Sequence, residues 1–174
     1  MTLDEAKLLI ENEHLIRQNG PQVWADLGCG SGLFTRALGH FLEPGSAIHA
    51  VDKGGVPPST IWHTDVRITG HVMDFEKERL PVVSLDGILM ANALHYVQNP
   101  AVFLAQCYHL YANPVFLFVE YDTEVAVHPW VPYPVSFDAL RAHCRTAGYA
   151  HIEQGHTRAS AFGHARLYTA YAYR

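Results

Sequence analysis

The sequence predicts an α/β fold built on a doubly wound, mostly parallel sheet. Short apolar runs of strand length alternate along the chain with segments of helical periodicity, an order typical of parallel sheets with helical crossovers. The first apolar run leads through a turn with three glycines into a helical segment, which is how a doubly wound unit usually starts. Towards the C-terminus, residues 149–154 and 166–173 alternate between apolar and polar positions and predict an antiparallel hairpin.

The individual elements follow from local signals. Thr2 and Glu5 have the spacing of a capping box, and the apolar positions after them predict a helix that ends near residue 19. Parallel strands are expected at 23–27, 47–52, 69–75, 84–91 and 115–120, so that the hairpin completes a seven-stranded sheet. Further helices are expected at 33–42, 100–111 and 136–147. Glycines and prolines at 54–58 predict that the crossover helix after the second strand is short or absent.

The composition is that of one globular domain, residues 1–174. Apolar residues make up 49% of the chain and charged residues 17%, and the chain has neither a run of 18 apolar residues nor a basic leader. We therefore expect a cytoplasmic protein without membrane contacts, either a monomer or a homodimer. The net charge of −5 disfavours a nucleic-acid partner. Three widely spaced cysteines without a C-x-x-C pair predict reduced thiols, and neither they nor the histidines predict a metal site.

The segment 23–35, VWADLGCGSGLFT, is the most informative part of the chain. Its apolar start fits a strand buried on both faces, and Gly28, Gly30 and Gly32 permit a sharp turn that a ligand can approach closely. The helix that follows would point free N–H groups at this turn, which favours a polar or anionic ligand. Leu33 stands where the third glycine of the dinucleotide fingerprint G-x-G-x-x-G would fall, so a nicotinamide enzyme is disfavoured.

Polar residues stand at the ends of all five predicted parallel strands: Asp26, Asp52, Asp74, Asn92 with His95, and Glu120 with Tyr121. The carboxyl ends of parallel strands meet at one edge of the sheet, and open α/β proteins bind ligands there. A carboxylate at the end of the second strand can accept hydrogen bonds from both hydroxyls of a ribose. The sequence therefore predicts a ligand with a ribose, bound by Asp52.

The run Asp26-Leu27-Gly28-Cys29-Gly30-Ser31-Gly32 resembles motif I of the class I S-adenosylmethionine-dependent methyltransferases, and the resemblance extends over nearly the whole chain. It implies a Rossmann-like fold, S-adenosylmethionine as the cofactor, and methyl transfer by in-line displacement. In such enzymes the acid before the glycines helps to hold the cofactor's amino group, and the glycine turn lies against its methionine part. Cys29 is expected to be a small residue of this turn rather than a reactive thiol.

The resemblance also implies roles for residues after the other strands. Asp52 would bind the ribose, with Lys53 beside it among the cofactor-binding residues. Asp74 and Phe75 match the acid and the aromatic residue at the adenine, and the backbone near Asn92 would meet the methionine ammonium. The Gly-Gly-Val-Pro-Pro segment that follows Lys53 departs from the family pattern, which leaves the wall on the adenine side open.

The acceptor side is predicted from the residues after the fourth and fifth strands. Residues 90–97, MANALHYV, are similar to the corresponding region of small-molecule methyltransferases and differ from the N-P-P-Y motif of many nucleic-acid enzymes. We expect a small-molecule acceptor, with His95 as general base and Tyr96 as a second catalytic candidate. An acceptor pocket is then predicted from these two residues together with His128, Trp130 and Tyr133, and the N-terminal helix, residues 1–19, is a candidate lid.

Two other interpretations stay open at this point. The same fold also occurs in cofactor-binding or partner proteins without transferase activity, and the short chain leaves few segments to enclose an acceptor. A methyltransferase that acts on protein or nucleic acid is also compatible, because acceptor sites vary widely on this core.

Overall fold

The structure, a computed structural model, describes residues 1–16, 20–58, 60–62, 65–159 and 165–174. Its strands are β1 (Val23–Leu27), β2 (Ala47–Asp52), β3 (Thr60–Trp62), β4 (Val66–Val72), β5 (Gly87–Ala91), β6 (Val115–Asp122), β7 (His151–Ala159) and β8 (Arg166–Tyr173). Its helices are α1 (Leu3–Ile10), α2 (Glu13–Ile16), α3 (Leu33–Gly39), α4 (Pro100–Leu110) and α5 (Phe137–Thr146), with a short 3₁₀ helix at Leu94–Tyr96.

The strands form one sheet in the order β3-β4-β2-β1-β5-β6-β8-β7. Strands β4, β2, β1, β5 and β6 run parallel, and β8 and β7 follow as an antiparallel hairpin. This arrangement confirms the predicted doubly wound, mostly parallel α/β fold. The short strand β3 lies antiparallel to β4 at the edge and adds a strand to the seven expected. Because β1 has β2 on one side and β5 on the other, the strand order switches beside β1, where such sheets bind ligands.

Apolar clusters cover the two faces of the sheet. On one face, α1 and α3 pack against residues such as Trp24 and Ile48. On the other face, α4 and α5 pack against residues such as Ala25 and Ile88. Adjacent residues of β1 thus enter opposite clusters, which explains why the strand is apolar apart from Asp26.

The N-terminal region differs from the single helix that was expected. The predicted capping box is present, with Thr2 N donating to Glu5 Oε2 and Glu5 N donating to Thr2 Oγ1. Helix α1 then ends at Ile10, where the Asn12 side chain donates to the Ile10 carbonyl at 3.0 Å, and α2 follows. Residues 17–19 of the expected helix lie outside the described residues.

Helix α1 belongs to the core. Ala6, Leu9 and Ile10 are at most 3% exposed. Any lid motion of α1 would have to uncover these three side chains, so the lid role stays a prediction.

The connections on both sides of β4 contain no helix in their described residues. A Cβ on Gly32 would lie 2.8 Å from Pro57 Cγ, and one on Gly70 would lie 2.7 Å from the Pro57 carbonyl oxygen. The glycine- and proline-rich segment therefore packs directly on β4 and on the start of α3. Strand β4 begins and ends three residues earlier than expected, which leaves Asp74 in a turn beyond the strand. No helix in the described part of the chain is long and apolar enough to span a membrane.

Candidate active site

The glycine turn after β1 is held by the neighbouring strand β2. Gly28 N and Cys29 N both donate to the Val51 carbonyl, at 2.8 and 3.0 Å. Gly28, Gly30 and Gly32 have φ values of +80°, +49° and +77°, which L residues rarely adopt. A Cβ on Gly28 would lie 2.6 Å from Ala93 Cβ, whereas one on Gly30 would meet no atom within 4 Å. Gly28 is therefore needed for packing, and Gly30 leaves open space that a ligand can fill.

Asp52, at the end of β2, supports the same turn. Its Oδ2 accepts a hydrogen bond from Gly30 N at 3.0 Å, and its Oδ1 accepts one from Gly54 N at 2.7 Å. Carboxylate oxygens accept more than one hydrogen bond each, so the side chain keeps capacity for a ligand hydroxyl. The structure places Asp52 at the glycine turn as predicted, with Lys53 exposed beside it. The ribose contact stays a prediction.

We expect Asp52→Ala to weaken the binding of S-adenosylhomocysteine by about 1.5–3 kcal/mol, or about 10- to 150-fold, the range for lost hydrogen bonds to a charged group. The variant loses the predicted ribose acceptor and also leaves the Gly30 and Gly54 N–H groups without their carboxylate partner. Isothermal titration calorimetry measures the change, with Asp138→Ala, an exposed acid on α5, as the control. An unchanged affinity of the Asp52 variant would remove this side chain from the site.

Asp26 is a fully buried acid with one unpaired oxygen. Thr35 Oγ1 donates to its Oδ2 at 2.5 Å, while its Oδ1 has no hydrogen-bond partner among the described residues. Burial raises the pKa of Asp26 to about 7, the bond from Thr35 opposes this shift, and the charge of nearby Asp52 adds to it. A buried polar atom without a partner is costly, so this oxygen is suited to a ligand that brings a donor.

Asn92 offers a second buried acceptor at the end of β5, the strand next to β1. Its φ is +53°, its N–H donates to the Val119 carbonyl at 2.7 Å, and its Oδ1 has no partner among the described residues. An ammonium group carries three donors and suits two unfilled acceptors of this kind. The polar residues at the ends of β1 and β5 therefore fit the ammonium end of the cofactor that the sequence predicts.

The pKa of Asp26 predicts a pH dependence of cofactor binding. Below about pH 7 the carboxyl is mostly protonated and cannot pair with an ammonium as a charge, and above it the ionised form is available. If only the ionised form binds, S-adenosylhomocysteine affinity falls about tenfold one pH unit below the pKa. Calorimetry in buffers of different ionisation enthalpy should detect proton release in this range. Asp26→Asn should bind weakly with no such release, and an unaltered pH profile in that variant would contradict the assignment.

Asp74 and Phe75 lie in the turn after β4. The Asp74 carboxylate accepts from Glu76 N at 3.2 Å and from Lys77 Nζ at 2.9 Å, and the Lys77 contact lowers its pKa. Asp74 thus stabilises its own turn. Phe75 packs on Phe103 with ring centroids 5.6 Å apart, and its ring lies 3.8 Å from the position of a Cβ on Gly28. The structure brings Phe75 to the glycine turn, whereas the adenine contact of Asp74 stays a prediction.

The buried pair of His95 and Glu120 lies after β5 and at the end of β6. Their side chains are 3% and 1% exposed, and His95 Nδ1 lies 2.6 Å from Glu120 Oε2. Glu120 Oε1 accepts from the backbone N–H groups of residues 93, 94 and 95, at 3.1, 2.8 and 3.3 Å. Because a carboxylate only accepts, Nδ1 carries the ring proton and Nε2 of a neutral His95 is the acceptor. The structure thus orients the His95 ring, whereas its role as general base stays a prediction.

The sequence indicated Glu120 only as a polar residue at a strand end. Its pairing with His95 crosses from β6 to the 3₁₀ helix, 25 residues earlier in the chain. A glutamate interrupting the apolar run Val115–Val119 was the available signal, since a buried charge requires partners.

The loop 123–135 connects to this pair. Tyr133 N donates to the His95 carbonyl at 3.0 Å, and Val127 and Val131 form an antiparallel bridge. Trp130 is 71% exposed, and His128 is exposed as well. The structure thus brings Tyr133 to His95, beside Tyr96, while the pocket roles of His128 and Trp130 stay predictions.

Cys29 is buried in the turn, and its burial raises its pKa to about 12, so its thiol stays protonated near neutral pH. In the described residues no group of three or more His, Cys, Asp and Glu side chains is placed to hold a metal ion.

The model of a known family, described as "Methyltransferase domain", matches residues 25–118 of the chain. The chain belongs to this methyltransferase family. The match covers more than half of the chain and includes the glycine turn, the end of β2 and the 3₁₀ helix. Family membership confirms the predicted class of enzyme, a methyltransferase that uses S-adenosylmethionine as its cofactor. No curated protein matches the chain.

Solved structures share the fold at low identity. The Burkholderia thailandensis 1,6-didemethyltoxoflavin-N1-methyltransferase, with its acceptor and S-adenosylhomocysteine bound, has a TM-score of 0.65 and 21% identity over 98% of this chain and 77% of its own. A putative methyltransferase from Haloferax volcanii, in complex with the activator Trm112, has a TM-score of 0.64 and 19% identity. The match covers 98% of this chain and 91% of the Haloferax chain. The N-terminal domain of EvdMO1, in the presence of S-adenosylhomocysteine and D-fucose, has a TM-score of 0.61 and 18% identity, over 98% of this chain and 82% of that domain's chain. In the longer EvdMO1 structure the match covers 40% of the EvdMO1 chain.

Proposed function

We propose that this methyltransferase acts on a small-molecule acceptor and that His95 removes the acceptor's proton. The observation that carries the proposal is the His95–Glu120 pair. Burial of an imidazole together with a carboxylate costs desolvation free energy, and such buried ionisable pairs are typical of functional sites. A position beside the cofactor turn suits proton transfer. The hydrogen bond from Tyr133 N to the His95 carbonyl supports an acceptor site between the loop 123–135 and the His95 ring.

The roles of the residues follow from their chemistry. When bound, S-adenosylmethionine supplies an electrophilic methyl group with a good leaving group, so the protein mainly has to position and deprotonate the acceptor. Asp26 and Asn92 would hold the ammonium end, and Asp52 would hold the ribose. Glu120 would hold the ring proton of a neutral His95 on Nδ1 and so leave Nε2 as the acceptor, which matters for an oxygen or a protonated nitrogen as nucleophile.

Two of the structural neighbours support a small acceptor. The Burkholderia enzyme has the small molecule 1,6-didemethyltoxoflavin bound, and the EvdMO1 domain was crystallised in the presence of the sugar D-fucose. The acidic net charge disfavours nucleic acid. We also infer a cytoplasmic location, which the free cysteines Cys29, Cys107 and Cys144 support.

Methyl transfer with a labelled cofactor and a panel of small acceptors tests the proposal. Once an acceptor is found, His95→Gln should lower turnover by about 10²–10⁴-fold, the usual contribution of a general base. Affinity for S-adenosylhomocysteine should stay within about threefold, because His95 holds no part of the cofactor in this assignment. His109→Gln, an exposed histidine on α4, is the matched control. Full turnover in His95→Gln would refute the base, and absent cofactor binding in the unaltered protein would refute the proposed function.

A further inference from the structure

Exposed apolar side chains occur in the loop 123–135 and in the 3₁₀ helix that carries His95. They are Tyr96, Val125, Val127, Trp130 and Tyr133, which are between 39% and 71% exposed, and we refer to these five residues as the acceptor face. Single exposed apolar side chains are ordinary, but a group of five on one loop and the neighbouring 3₁₀ helix indicates a binding surface.

The acceptor face is ordered by backbone contacts. Val127 and Val131 donate to each other's carbonyl groups at 3.0 and 2.7 Å, which folds residues 127–131 into a tight loop that carries Trp130. The loop is attached at its other end by the bond from Tyr133 N to the His95 carbonyl. Tyr168 also donates to the Val135 carbonyl at 2.9 Å. The aromatic rings are therefore presented from a fixed backbone, which reduces the entropy cost of binding a flat ligand.

The charge of this region excludes one class of ligand. Between Arg79 and Arg141 the chain contains no lysine or arginine, and this stretch includes both β6 and the entire acceptor face. Arg166 lies opposite Asp122 in the sheet, but its guanidinium donates to Thr157 on β7 at 2.8 Å. A carboxylate or phosphate on the acceptor would thus find no counter-charge on these elements and would be desolvated at a cost.

We infer that the acceptor is an aromatic molecule without an anionic group that presents a hydroxyl group to His95. This inference rests on the proposed function and adds the class of substrate. Aromatic rings stack favourably on Trp and Tyr side chains. Since Nδ1 of His95 donates to Glu120, Nε2 of the neutral ring has only an acceptor role, and a hydroxyl is its complementary donor.

The reaction balances without a further reactant. The hydroxyl oxygen forms a bond to the methyl carbon while the carbon–sulfur bond breaks, and the electron pair of that bond stays on sulfur. The hydroxyl proton passes to Nε2 of His95 and then to solvent. The products are a methyl ether, S-adenosylhomocysteine and one proton.

Binding measurements test the inference apart from turnover. Protein saturated with S-adenosylhomocysteine is titrated by calorimetry with β-naphthol and with hydroxynaphthoate, which adds a carboxylate. We expect saturable binding of β-naphthol and at least about tenfold weaker binding of hydroxynaphthoate. Trp130→Ala should weaken β-naphthol binding about fivefold through lost stacking, while Val83→Ala, which alters an exposed residue outside the acceptor face, should not.

A charge introduced on the acceptor face provides the sharper test. Val127 is 52% exposed, so Val127→Lys should fold, and it should raise the affinity for hydroxynaphthoate relative to β-naphthol by about tenfold. The inference would be overturned by a failure of β-naphthol to bind, by preferred binding of hydroxynaphthoate to the unaltered protein, or by unchanged selectivity in Val127→Lys. These outcomes are distinct from a failure of the proposed function, which would appear as absent S-adenosylhomocysteine binding in the first titration.

Discussion

Replacement of Glu120 by Gln is expected to lower turnover by about 10²–10⁴-fold, as large an effect as loss of the base itself. The amide can keep one oxygen towards the backbone N–H groups of residues 93–95, but it then turns its NH₂ group towards His95 Nδ1. Nδ1 must become the acceptor, which moves the ring proton to Nε2 and removes the base. Steady-state turnover with an identified acceptor measures the loss.

Two comparisons separate this effect from a general loss of structure. Glu124→Gln makes the same change four residues later at an exposed site and should leave turnover unaltered. S-adenosylhomocysteine affinity of Glu120→Gln should stay within about threefold of the original protein, because the variant alters the acceptor side. Should Glu120→Gln retain full turnover, the pair with His95 would be purely structural.

Gly28→Ala is expected to destabilise the protein by about 2–5 kcal/mol and to prevent cofactor binding. The φ of +80° strains an L residue by about 1–2 kcal/mol, and the overpacking adds about 1–3 kcal/mol because the new methyl would lie 2.6 Å from Ala93 Cβ. Relief of this contact would move the turn away from residues 93–95, which Glu120 holds in place. Urea unfolding monitored by circular dichroism measures the stability change, and calorimetry measures the binding.

Gly148 provides a control with the same kind of backbone. Its φ is +102°, and a Cβ there would meet no atom within 4 Å. Gly148→Ala should therefore cost about 1–2 kcal/mol from the backbone alone and leave cofactor binding unaltered. Equal losses of stability in the two variants would show that the contact with Ala93 is unimportant.

Much of the cofactor side was predictable from the chain. Strong local signals specify this side: three glycines follow an apolar strand, and an acid stands at the end of the next strand. In the structure the glycine turn and this carboxylate are in contact, through the hydrogen bond from Gly30 N to Asp52. Element type was predicted well for the same reason, because apolar periodicity and capping residues act over a few neighbouring positions. Boundaries were less accurate at β4 and in the N-terminal helix, where pairing to β2 and a side-chain bond from Asn12 set the ends.

The acceptor side depended on contacts between distant residues. Sequence patterns identified His95 and the aromatic loop, but the partner of His95 is 25 residues away, and Glu120 reaches it because β5 and β6 are adjacent and parallel. The crossover 53–58 shows the same limit, since its composition predicted only that a helix is absent. That Pro57 packs on Gly32 and Gly70 was decided by the space between α3 and β4.

The sequence by itself determined the sheet, the glycine turn and the identity of the polar residues at the strand ends, because backbone preferences and apolar periodicity are local. Only the tertiary structure decided which of those polar groups form hydrogen bonds with each other and which stay unpaired. Burial leaves Asp26 Oδ1 without a partner among the described residues, and strand adjacency joins Glu120 to His95. Hydrogen bonding and desolvation depend on distances across the fold, and these are not encoded in the spacing of residues along the chain.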